Sequence, residues 1–190
     1  MKAANELDDL FDESETMTQL REGDLSALGA VYDRYAEEVR LFAFRATGRR
    51  DVADDVTHDA FVALVEASKR YDAQYSLRAF VIGIAGKLIL RRRRRAAVAL
   101  RVLGDLKSRL DSRHDRTPEI EAAADQELRR YRECLARMSD AKRLTVVMAD
   151  IEGLTGPQIA KALDVPVGTV WTRLHHARSE LRRALGEDER

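Results

Sequence analysis

Residues 155–174 read TGPQIAKALDVPVGTVWTRL, and this stretch decides the architecture. Thr155 followed by Pro157 opens a helix, because a hydroxyl caps the free N–H groups of a first turn and proline lacks one of them. Ile159, Ala160 and Leu163 share one face at helical spacing, and Ala160 is small enough for a second helix to cross closely. Asp164-Val165-Pro166 makes a three-residue turn, with Pro166 suited to the first position of the next helix. That helix carries Val167, Val170, Leu174, Ala177 and Leu181 as its buried stripe and stops before Gly186. Two helices joined by so short a turn form a helix-turn-helix, whose second helix is shaped for a major groove. Thr169, Trp171, Thr172, Arg173, His175, His176 and Arg178 keep outward or flanking positions and are the expected DNA contacts. The first of them suit base edges, and the basic ones suit phosphates.

Helical spacing continues upstream. A short helix precedes Gly23. Asp24 caps a second one, with Leu25, Leu28, Val31, Tyr32, Tyr35, Val39 and Phe42 on one face and Gly48 as its stop. Asp51 is the expected cap of a third, carrying Val52, Val56, Ala60, Phe61, Leu64 and Val65 and ending near Tyr71. Ser76 caps a fourth, with Leu77, Phe80, Val81, Ile84 and Leu88, which runs into Arg91–Arg95. After Thr117-Pro118, further helices are expected over about Glu119–Arg137 and from Ser139 to Glu152. The chain therefore reads as all-α, with two small helical bundles joined by a flexible linker and the helix-turn-helix in the second. The expected division is an acidic mobile tail over 1–15, a first bundle over 16–96, a linker over 97–124 and a second bundle over 125–186.

Of the 190 residues, 33 are basic and 33 acidic, yet this balance conceals a strong asymmetry. Residues 1–24 hold eight acids against two bases, while residues 86–116 hold eleven bases against three acids. Sign asymmetry of this kind points to nucleic-acid contact. The apolar stretch Ala79–Leu90 is broken by Lys87 and falls short of the ~18 residues a membrane span needs. The N-terminus has no apolar core of the kind a signal peptide carries. Cys134 is alone, which excludes an internal disulfide and a CxxC metal site. Together these imply a cytoplasmic protein without metal or cofactor. No nucleophile elbow or phosphate-cradling glycine loop is present, which argues against an enzyme.

Two separate stretches, in order, carry a resemblance. Asp150-Ile-Glu-Gly-Leu-Thr and Val165-Pro-Val-Gly-Thr-Val-Trp-Thr-Arg-Leu-His-His-Ala-Arg resemble the fourth region of extracytoplasmic-function (ECF) sigma factors of bacterial RNA polymerase. Asp51-Val-Ala-Asp-Asp-Val-Thr-His-Asp-Ala-Phe resembles their second region, and Ser76–Lys87 with Arg91–Arg95 the segment after it. The resemblance implies a promoter-directing subunit of the polymerase. Asp54, Asp55, His58, Asp59 and Phe61 match the positions that dock on the clamp helices of the largest subunit. Tyr71, Tyr75, Ser76, Arg78 and Phe80 match the element that opens the −10 sequence and captures an extruded base, with Lys87, Arg91 and Arg92 on backbone phosphates. The helix-turn-helix would read −35 beside the polymerase flap region. An anti-sigma factor is the further partner implied.

This sequence also departs from the family pattern. Trp171 stands where the family usually has Lys or Arg, and His176 where it often has Arg, so its recognition helix is less basic than most. The competing reading is a helix-turn-helix regulator that acts without polymerase. It leaves the Asp51–Phe61 pattern and the arginine block unexplained.

Overall fold

The computed structural model describes residues 11–102 and 126–186, and among these every regular element is a helix. Asp12 accepts hydrogen bonds from the Ser14 and Glu15 N–H groups at 2.8 and 3.0 Å, which caps α1 (Glu13–Glu22). Gly23, at φ 96°, closes it. Asp24 caps α2 (Leu25–Thr47) through the Ser26 N–H, and Gly48 in the left-handed region ends it, both as the sequence indicates. α3 (Arg50–Ala67) tightens into a 3₁₀ turn over Ser68–Arg70. Ser76 Oγ accepts from the Ala79 N–H at 3.2 Å at the start of α4 (Leu77–Val102). Met17, Val31, Phe42, Val56, Leu64, Leu77 and Ile82 pack where α1 to α4 converge.

The second group comprises α5 (Gln126–Arg137), α6 (Asp140–Val146), α7 (Gly156–Leu163) and α8 (Val167–Leu185). α6 runs into a π turn over Val147–Ile151, where the Glu152 N–H donates to Val147 O at 3.0 Å. Thr155 and Gln158 form a reciprocal capping box at the head of α7. Asp164 ends α7 in the left-handed conformation (φ 56°), which Asp tolerates better than most side chains. Val170, Leu174, Ala177 and Leu181 are buried as expected.

The two groups are docked on one another and share one continuous core. α4 crosses α7 where both are small. A Cβ on Gly83 would lie 2.9 Å from the Cβ of Ala162, and one on Gly86 would lie 2.7 Å from Met148 Cε and 3.3 Å from Leu163 Cδ2. Backbones approach this closely only where side chains are missing.

Several details differ from the sequence expectations. Asp51 does not cap α3; it sits in the first turn and pairs with Arg49, while the N-cap position is Arg49 itself. Pro166 is the residue before α8 rather than its first, and Val167 is exposed, because the turn ends one residue later than supposed. α4 continues past residue 96 to Val102, taking in the first residues assigned to the linker; the rest of 97–124, and the helix start expected at Glu119, lie outside the described residues. So do residues 1–10 of the acidic tail.

Glu13 was expected in that tail and instead anchors the first bundle. Its carboxylate accepts from Tyr35 OH at 2.6 Å and from the Leu77 N–H at 2.8 Å, and lies 3.4 Å from Tyr71 OH. Burial, reinforced by this carboxylate, pushes the Tyr71 phenol up to about 12 and the Tyr35 phenol further still. Unfolded tyrosine ionises near 10, so this stabilisation is complete below about pH 10 and is lost as pH rises through the folded values. In an absorbance titration, Tyr71 and Tyr35 should stay protonated at pH 11 while the fold persists. Glu13→Ala should cost about 3 kcal/mol, at about 1.5 kcal/mol for each of the two short bonds to the charged group, and lower the melting temperature by several degrees.

Candidate nucleic-acid interface

On α8, Trp171, Thr172, His175, His176 and Arg178 are exposed, and Thr169 and Arg173 are half-buried at the margins of the same face. The His175 and His176 rings meet edge to face, with centroids 5.6 Å apart. Arg178 is not a free cation. Its guanidinium grips Asp150 at 3.1 and 2.5 Å, and this hydrogen bonding raises its pKa.

Four of the groups assigned to −10, Tyr75, Phe80, Lys87 and Arg91, line a cleft of about 410 Å³ between α3, α4 and α7. Phe80, Ile84 and Leu88 give it an apolar floor, while Arg70, Lys87 and Arg91 make a basic rim. Tyr75 is half-buried, with Lys161 Nζ of α7 held 3.5 Å from its ring centroid. The same ammonium pairs with Asp72 at 2.9 Å, and chiefly this hydrogen bond keeps the Asp72 carboxyl below its usual value. Ser76, Lys87 and Arg91 are exposed. Tyr71 corrects the sequence reading: it is 7 % exposed, donates to Tyr75 O at 3.0 Å and packs against Phe80 at 5.3 Å, so it is a supporting wall rather than a stacking platform.

Arg78 lies in the contact between the two helix groups. Its guanidinium reaches Glu152 Oε2 at 2.8 Å and the Glu152 carbonyl at 2.9 Å, and also pairs with Glu38. Arg45 holds the other Glu152 oxygen at 2.9 Å. The Glu152 side chain is only 3 % exposed, so its charge depends on these two arginines. Sequence reasoning passed over Glu152, Arg45 and Lys161. The one available signal was a carboxylate directly before Gly153, which reads equally well as a helix end.

Asp54, Asp55 and His58 line the exposed side of α3, and Asp59 is half-buried beside them. Arg92 of α4 bridges to Asp59 at 2.7 Å and Asp55 at 3.2 Å; burial opposes its charge, but these two carboxylates outweigh burial and raise its pKa. Phe61 is 3 % exposed and stacks edge-on against Tyr32 at 4.8 Å, which makes it a core residue and corrects its assignment as a docking contact.

Residues 31–99 match the family model described as Sigma-70 region 2, and residues 128–181 match Sigma-70, region 4. The ECF RNA polymerase sigma factor SigW of Bacillus subtilis is 25 % identical over 174 residues, covering 88 % of this chain and 93 % of that protein. RNA polymerase sigma factor CnrH of Cupriavidus metallidurans is 32 % identical over 180 residues, covering 90 % and 92 %. The chain belongs to the ECF RNA polymerase sigma factors. Two solved structures share its fold. One is the sigma factor RpoE with the anti-sigma factor NepR from Bartonella quintana (TM-score 0.64, 17 % identity, 85 % of this chain and 98 % of that one). The other is CnrH with the cytosolic domain of CnrY (TM-score 0.61, 23 % identity, 92 % and 97 %). In this sigma factor the second-region surface and the helix-turn-helix face one another across the Glu152 contact.

Burial makes that contact stronger than an exposed ion pair. Arg78→Ala strips one of the two arginines from a nearly dry carboxylate and should cost about 2 kcal/mol, below the ~3–5 of a fully buried pair because Arg45 remains. The melting temperature should fall by several degrees. Arg40→Ala, which removes the exposed pair with Glu37, should leave it unchanged.

Proposed function

We propose that this sigma factor binds core RNA polymerase and directs it to promoters by reading −35 and −10 elements, and that it catalyses nothing itself. The observation that carries this reading is the occurrence, in one chain and in order, of a region 2 match and a region 4 match. Residues 16–96 and 125–186 are the two working units, with the segment between them as the linker. Trp171, Thr172, Arg173, His175, His176 and Arg178, with Thr169 at the margin, read −35. Tyr75, Ser76, Arg78 and Phe80, backed by Tyr71, take the −10 strand, while Lys87, Arg91 and Arg92 hold phosphates. Asp54, Asp55, His58 and Asp59 meet the polymerase clamp. The site of action is the cytoplasm, since core polymerase and promoter DNA are there. Among the described residues no helix is long and apolar enough to cross a membrane. Control by an anti-sigma factor fits the two structural neighbours, of which one was solved with such a factor and the other with the cytosolic domain of CnrY.

This function requires the two units to part. Arg78 and Tyr75 cannot meet a DNA strand while Glu152 and Lys161 cover them. The experiment is in vitro transcription with purified core polymerase. Specific binding to DNA alone, with no co-purification with core, would overturn the sigma reading in favour of a stand-alone regulator. Parting is tested by a Lys161→Cys and Asp72→Cys pair with Cys134→Ser, placed where the native side chains meet at 2.9 Å in the closed form and bridged by a short, thiol-cleavable bis-maleimide. Bridged protein should lose promoter-directed transcripts at least tenfold, and reductive cleavage should restore them. Equal activity in both states would show that the closed form is itself competent.

A further inference from the structure

Trp171 is the one tryptophan of the chain and leaves 53 % of its surface exposed on the recognition helix. Its placement is nevertheless fixed. A Cβ built on Gly156 would lie 2.4 Å from Cζ2, 2.5 Å from Cη2 and 3.1 Å from Cε2 of the indole. The benzo edge of the ring therefore rests on the bare Cα of Gly156, at the head of α7. The backbone does not need glycine there, because Gly156 is an ordinary helical residue without positive φ. The turn is already defined by the Thr155–Gln158 capping box and Pro157. What the missing side chain provides is a seat for the indole.

We propose that Trp171 is a specificity-determining residue of the −35 contact and Gly156 its positioning residue: seated on Gly156, the indole presents its free edge to the C5-methyl group of one thymine. The proposal rests on the −35 reading given above. Among the four base pairs, the only apolar group offered in the major groove is the thymine methyl. Trp171 and His175 are neighbours at i, i+4 on the exposed side of α8, which places the ring beside the polar groups of the same face. An aromatic side chain has few torsions to freeze, and one already seated loses less on binding than a free one. Gly156→Ala is compatible with the helical backbone at this position and evicts only the far end of the indole.

The test uses holoenzyme reconstituted from this sigma factor and core polymerase. A duplex pool randomised across −35 yields the preferred site, and each thymine of that site is then replaced by deoxyuridine, which removes only the methyl. At one thymine the native protein should lose about fourfold in affinity, the equivalent of about 0.8 kcal/mol for one methyl-sized group. Trp171→Ala should bind both duplexes alike, and Trp171→Phe should keep part of the difference. Gly156→Ala should reduce it while leaving the melting temperature and the affinity for core polymerase unchanged. In the Trp171→Ala background, Gly156→Ala should do nothing further. A preferred site with no methyl-sensitive thymine, or full sensitivity retained in Trp171→Ala or Gly156→Ala, overturns the proposal and leaves the sigma reading standing. A holoenzyme that selects no −35 site overturns both.

Discussion

The Glu152 carboxylate, clasped by Arg45 and Arg78, is the constraint on which the rest of the arrangement depends. A carboxylate this dry cannot stand alone, since desolvating an unpaired charge costs several kcal/mol or more. Two arginines from α2 and α4 answer it, and both belong to the first bundle, whereas Glu152 belongs to the second. The π turn over Val147–Ile151 delivers it: one extra residue in the turn carries the chain off the α6 axis just before Glu152. Gly83 and Gly86 then let α7 and Met148 pack closely against α4. The clasp, the π turn and the glycine notch form one device.

That device gives the zero net charge a physical meaning. The basic groups are present, but in this arrangement several are answered within the chain: Arg92 by Asp55 and Asp59, Arg178 by Asp150, Lys161 by Asp72. These pairs are largely solvated, so salt screens them and they contribute little to stability. A polyanion such as DNA competes with them readily. The Glu152 clasp is different because breaking it exposes a desolvated charge. The closed form is thus held mainly by one buried polar contact and an apolar seam, while the charged surfaces around it exchange partners at low cost.

Much of the fold was legible because its signals are local. Asp24 and Gly48 bound α2, Thr155 with Gln158 opens α7 and Gly186 ends α8, each by chemistry confined to a few neighbouring residues. What was not legible depends on residues far apart in sequence. Glu13 looks like one more acid in an acidic run until Tyr35, Tyr71 and the Leu77 N–H converge on it. Phe61 fits a docking motif and a core stripe equally well, and only the packing of Tyr32 from α2 decides between them. Among the candidate site residues the exposed ones on α8 followed from helical phase, and those on α3 from the resemblance of Asp51–Phe61 to a known family. The cover over Tyr75 and Arg78 did not, because it comes from Lys161 of α7 and from Glu152, both far along the chain from the groups they cover.

On the proposed role of Trp171, the helix-turn-helix reconciles weak charge with selectivity. With Arg178 tied to Asp150, few free cations face DNA from α8, and phosphate attraction grows with their number. Such a helix gains little from non-specific electrostatics, so it depends on shape and on the polymerase to bring it near the duplex. A seated aromatic suits that regime. It adds contact that is short-ranged and nearly independent of salt, and it discriminates only once the helix is already in the groove. On the same proposal the helix judges DNA more than it attracts it, and attraction is left to the arginine-rich end of α4.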